Sequence, residues 1–151
     1  ILTLAWNERR QAFVESFGSE MLDASVLLMA EVGFVDARSE PFLKTLSAIE
    51  QTLCDGPYVR RYEEADDFGR PEVAFIACAF WRIDALARAG RAAEAREYFE
   101  GLLARRNGAG LLSEDVHVAT GELWGNFPQT YSMVGIINGT VRLSAPWDSA
   151  V

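Results

Sequence analysis

Between positions 40 and 53, Phe42, Leu43, Leu46, Ile49 and Leu53 recur at steps of three and four. That spacing predicts a helix with one apolar face. Ala95, Tyr98, Phe99, Leu102 and Leu103 repeat it over 92–105, with Arg96, Glu97 and Glu100 on the wet side. From 72 to 88 the chain is apolar almost all round, with Phe75, Ile76, Phe80, Trp81, Ile83 and Leu86, as expected of a helix packed on more than one side. A further helix is predicted over 128–143. Pro128 falls in its first turn, and Val134, Ile137 and Val141 are assigned to its inner face. The first third is read as two more helices, about 4–17 and 23–31, the second capped by Asp23 or Ser25.

Gly18-Ser19 is placed at the end of the first helix and Gly90 at the close of the 72–88 segment. The polar stretch 55–71 is a long loop, and such loops in helical domains are usually functional. No alternating strand pattern is evident, so the predicted fold is all-α, built of antiparallel helix pairs. The pair around Gly90 has the outline of a tetratricopeptide-type repeat, a scaffold without chemistry. A recurrence near 34 residues is lacking: shifting Gly90-Arg91 by that distance lands beside Gly56-Pro57 or on Trp124-Gly125.

Composition narrows the function. The 151 residues, half of them hydrophobic, suffice for one domain with a core, and the formal net charge of -8 disfavours nucleic acid and anionic membranes as partners. No apolar run approaches the roughly 20 residues that span a bilayer. The opening Ile-Leu-Thr-Leu-Ala-Trp has no basic flank or cleavage site, so a cytoplasmic location is expected. Cys54 and Cys78 form no spacing motif and read as reduced core fillers; the single histidine, His117, gives no basis for a histidine-rich metal site.

The candidate chemistry lies in the second half. Gly110-Leu-Leu-Ser-Glu114 sets a carboxylate in a Gly-flanked turn ahead of Gly125-Asn-Phe-Pro-Gln129. Taken alone, Glu114 is an ordinary loop glutamate, without the capping-box partner that Ser113 would need three residues on. Together with Gly18-Ser-Glu-Met-Leu-Asp-Ala-Ser25, Val32-Gly-Phe34, Arg61-Tyr-Glu-Glu64 and Phe80-Trp-Arg-Ile-Asp-Ala-Leu86, these motifs resemble glycoside hydrolase family 15, which comprises the glucoamylases, glucodextranases and trehalase relatives. They occur in the family's order over nearly the whole chain.

The resemblance implies an (α/α)6 toroid of six inner and six outer helices, of which this chain is about half, the C-terminal part of a single catalytic domain. It implies inverting, exo-acting hydrolysis of an α-glucosidic bond, releasing β-glucose, on an α-glucoside or oligosaccharide and without a cofactor. A trehalase of the same family is the alternative, and a non-catalytic helical scaffold the alternative of another class. By the same resemblance Glu114 is the general base and Arg61 holds glucose hydroxyls, with Glu64 a lesser candidate and Glu72 weaker still. Trp124, in a loop beside Gly125, is a candidate sugar-stacking face; Trp81, within an apolar helix, is assigned to the core.

The chain departs from the family's pattern at Tyr131-Ser132-Met133 and at Glu72-Val73-Ala74-Phe75, both able to shape a sugar pocket. Nothing in it matches the family's general acid, so the chain alone is expected to be inactive. Apolar faces left uncovered are expected to let it self-associate.

Overall fold

A computed structural model describes residues 1–65, 69 and 72–144. In chain order they form α1 (Leu2–Ala5), β1 (Trp6–Asn7), β2 (Ala12–Phe13), a 3-10 turn (Ala24–Leu27), α2 (Leu28–Glu31) and α3 (Glu40–Leu53). There follow β3 (Cys54–Asp55), β4 (Tyr58–Val59), β5 (Val73–Phe75), α4 (Ile76–Arg88), α5 (Ala92–Leu103), β6 (Asp115–His117), β7 (Leu123–Trp124) and α6 (Thr130–Leu143).

The architecture is centred on α4, which packs against α5, α6, α2 and the 3-10 turn. Its apolar circumference explains this: Ile76, Ala77, Cys78, Ala79, Phe80, Ile83, Ala85 and Leu86 are all buried. α3 spans the residues its periodicity predicts and buries Phe42, Leu46, Ile49 and Leu53, while Leu43 at the edge of the stripe stays exposed. α4 ends in a Schellman turn at Gly90, whose amide bonds Ala87 O while Arg91 N reaches Leu86 O. A left-handed residue is required there, and Gly90 supplies φ 88°.

An ion-pair knot that the sequence pattern did not reveal ties these helices together. Arg82, only 4% exposed, bonds Glu50 of α3 and the Gly56 carbonyl between β3 and β4, and its guanidinium lies 3.8 Å from the Tyr98 ring centre. Arg91 joins Glu50 to Glu94 at the start of α5.

Four expectations are corrected. The fold is not all-α: among the described residues three small antiparallel sheets pair β1 with β2, β3 with β4, and β5 with β6 and β7. Strands of two or three residues carry too few positions for a period of two to register. The predicted helix 4–17 is instead one helical turn and a hairpin. Asn7 Oδ1 accepts the amides of Arg9 and Arg10 at 2.9 Å each, turning the chain where a helix would have continued, and Phe13 returns to pack on Trp6. Gly18 therefore closes no helix and lies in the following loop at φ 81°.

The third correction concerns the 72–88 helix, whose first residues form β5. The fourth is the face of α6. Val134, Ile137 and Val141 are 44%, 61% and 73% exposed, and the inward positions are Ser132, Gly135, Gly139 and Leu143. A Cβ on Gly135 would stand 2.2 Å from the Phe80 ring, and one on Gly139 2.5 Å from Phe99. The two aromatic rings occupy the space that side chains on α6 would need, so glycine faces inward and valine outward.

Candidate active site

Glu114 is fixed through its backbone before its carboxylate does anything. Its amide donates to Asn126 O at 2.9 Å, and its carbonyl accepts from Ile76 N, at the start of α4, at 3.0 Å. Gln129 N reaches Leu112 O at 3.0 Å, and Ser132 Oγ donates to Ser113 O at 2.6 Å, so the first turn of α6 is sewn to the same strand. The 125–129 segment thus wraps the turn at Glu114. Its donors converge on the carboxylate: Asn126 N at 3.2 Å and Asn126 Nδ2 at 3.0 Å meet Oε2, and Gln129 Nε2 at 3.3 Å meets Oε1. Such a ring of donors orients a carboxylate without burying it in apolar surroundings.

Arg61 stands on the loop that follows β4. Its Nε donates to both oxygens of Asp23, at 2.9 and 3.0 Å, and its guanidinium lies 5.4 Å from the centre of the Trp81 ring. Asp23 also accepts from Ser25 N at 2.7 Å, so the predicted helix cap doubles as the arginine's anchor. Glu63 is not its partner: that carboxylate takes Arg10 Nη2 and the Leu22 amide.

Arg61, Phe75, Trp81, Asp84, Tyr131 and Asn138 are among the residues lining a cavity of about 370 Å³ between α2, α4 and α6. Trp81 is only half-buried there: it packs against the core, as expected, while one face belongs to the hollow. Glu114 is not on the lining. The two sites are linked through aromatic rings, since Trp81 meets Phe75 edge-on at 6.3 Å and Phe75 pairs with Asp115 across β5 and β6. Glu114 thus meets α4 at the Ile76 amide and Arg61 meets it at the Trp81 ring.

Trp124, on β7, is 49% exposed and tilts over His117 at 5.6 Å. Paired with Asp115, it shares the sheet face of Phe75. Glu64 is exposed on the loop after Arg61, and Glu72 is exposed just before β5. At Asp115 burial first, and then the Glu114 charge, push the carboxyl up to about 6.

Sequence reasoning quoted Asn126 and Gln129 as motif letters but not as ligands of the carboxylate, and saw Asp23 only as a cap. Phe75 was assigned to an apolar helix and to a segment able to shape a sugar pocket, but its place between Trp81 and Asp115 comes from sheet register. Among the described residues no group of His, Cys, Asp and Glu is arranged to hold a metal ion, and no helix is long and apolar enough to cross a membrane. Cys54 and Cys78 are free, and burial pushes both thiols up, Cys54 to about 11.

This arrangement of helices is similar to that of solved glycosidase structures. A wild-type glycosidase matches 94% of the chain, and 40% of its own length, with a TM-score of 0.79 at 21% identity. A glycosidase variant in complex with glucose gives 0.80 at 20% identity. At that identity the likeness establishes the fold. The family follows from sequence: the chain belongs to the glycosyl hydrolases family 15, whose family model matches residues 3–140.

Among curated relatives, the trehalase of Thermoplasma volcanium is 37% identical over 144 residues, 95% of this chain and 23% of that protein. The trehalase of Thermoplasma acidophilum is 36% identical over 95% of this chain and 25% of its own length. That of Mycolicibacterium smegmatis is 32% identical over 90% and 21%. The chain spans about a quarter of the length of these relatives or less.

Proposed function

We propose that this chain supplies the base side of the active site of an inverting family 15 hydrolase that cleaves an α-glucosidic bond, with trehalose as the favoured substrate. The relatives between 31% and 37% identical are trehalases, which favours that disaccharide over the glucans that the wider family resemblance suggests. The observation that carries the reading is the Glu114 carboxylate held by Asn126 and Gln129 beside the first turn of α4.

In the proposed reaction, Glu114 removes a proton from water as the water oxygen attacks the anomeric carbon. The glycosidic C–O bond breaks, and the departing oxygen takes a proton from a carboxylic acid outside this chain, roughly 6.5–9.5 Å from the base. Attack opposite the leaving group gives β-glucose. Arg61, anchored by Asp23 and backed by Trp81, donates to hydroxyls of the terminal sugar; Glu64 would accept from one, and Trp124 would cover an apolar sugar face. Two carboxyl groups suffice for this chemistry and no cofactor enters it.

The missing acid and the limited share of its relatives that the chain spans support placing it as part of a larger (α/α)6 toroid. By itself the 151-residue chain would release no glucose. The test is Glu114→Gln in the full-length protein, assayed on trehalose, maltose and an α-1,4 glucan. Loss of a general base lowers kcat by roughly 10²–10⁴, with KM for the preferred sugar little changed. Retained turnover would overturn the assignment of Glu114, and a preference for the glucan would overturn trehalose.

A further inference from the structure

The register of the three-stranded sheet brings a second carboxyl against Glu114. Asp115 pairs with Phe75 on one side and with Trp124 on the other, and paired residues project from the same face. Asp115 therefore stands between two aromatic residues. At the bend after β7, Gly125 has φ 74°, and a Cβ added there would lie 2.9 Å from Asp115 Oδ2 and 3.0 Å from Glu114 Oε2. Both oxygens close on one small volume. That places them within the ~4–6 Å over which one carboxylate resists the ionisation of another.

The other groups facing Asp115 do not neutralise it. From α4 comes the buried Cys78 thiol, which also feels Arg61 and Asp23 from its far side. On its own strand, His117 is engaged with Trp124 and with Thr120. β5 and β7 offer the uncharged Phe75 and Trp124.

We propose that Asp115 is a positioning residue for Glu114, the two side chains forming one acid–carboxylate pair around Gly125. This inference rests on Glu114 being the base. With its carboxyl pushed up to about 6 by burial and then by the Glu114 charge, Asp115 is protonated in mild acid and charged near neutrality. Asp115 gives its proton to solvent, not to the sugar. The second charge then acts through Glu114: a like charge beside that carboxylate makes it the better acceptor of the water's proton, so turnover rises.

The experiment compares kcat for trehalose in the full-length protein and its Asp115→Asn variant from pH 4 to 8. The ratio of the two cancels the titration of the proton donor they share. It is expected to stay near one at pH 5 and to rise roughly fivefold by pH 7.5, with its midpoint near 6. Asp115→Glu keeps a charge one methylene further out, so the rise survives there with a displaced midpoint. A flat ratio overturns the pair, as does a midpoint unmoved in Asp115→Glu should Asp115→Asn fail to fold. Glu114→Gln run alongside separates the two ideas: an active Glu114→Gln removes the base itself, whereas a dead one with a flat Asp115→Asn ratio removes only the partnership.

Discussion

At the scale of single residues, the site is a set of side chains each fixed by something other than chemistry. Asn126 holds Glu114 Oε2 through two donors, one of them the backbone amide. Asn126→Ala removes only the side-chain donor, so kcat should fall about tenfold, the equivalent of one charge-assisted hydrogen bond, with the fold intact by circular dichroism. Asp115 makes a prediction about stability that is independent of catalysis. Its folded carboxyl is raised above the ordinary 3.8 to about 6. The folded chain therefore binds this proton more tightly than the unfolded chain, a preference present at low pH and lost as pH rises through that interval. Discounted for partial exposure, the cost above pH 6 is about 1 kcal/mol. Thermal unfolding at pH 7.5 should show Asp115→Asn more stable than wild type, with the advantage gone at pH 4.

At the scale of elements, sequence was legible where one face of a helix is apolar and illegible where contacts are made by what side chains lack. The boundaries of α3 coincide with its hydrophobic stripe, and the cap at Asp23 and the turn at Gly90 form where local chemistry placed them. The 4–17 helix failed because one amide oxygen on Asn7 captures two backbone donors, a local event that periodicity does not weigh. On α6 the inner face was inverted because glycine scores as no signal, although Gly135 and Gly139 are the positions that touch Phe80 and Phe99. Adding a methyl at Gly135 should therefore cost more than helix propensity returns. Overpacking against Phe80 is worth about 1–3 kcal/mol, and Gly135→Ala should lower the midpoint of urea unfolding accordingly. Of the site, the motif letters around Glu114 were readable, whereas the contact of Phe75 with Trp81 and the cavity beside Arg61 arise only from register and packing.

At the scale of the whole molecule, the described residues present apolar surface that the described elements do not cover. Val134, Ile137 and Val141 follow one another along the outer side of α6, with Tyr131 exposed at its start. The 151-residue chain should associate through this stripe. Size-exclusion chromatography over a concentration series should show Ile137→Lys restoring the monomer, and an unchanged elution would place the contact elsewhere. The glycine seam on the opposite side of α6 has a wider consequence. With no side chain between backbone and ring, the resting place of the helix is dictated by Phe80 and Phe99, and the helix in turn carries Gln129 and Ser132 against the Glu114 strand. Under the proposed reaction, an atom added where this protein has none would be felt as a proton acceptor aimed at the wrong water.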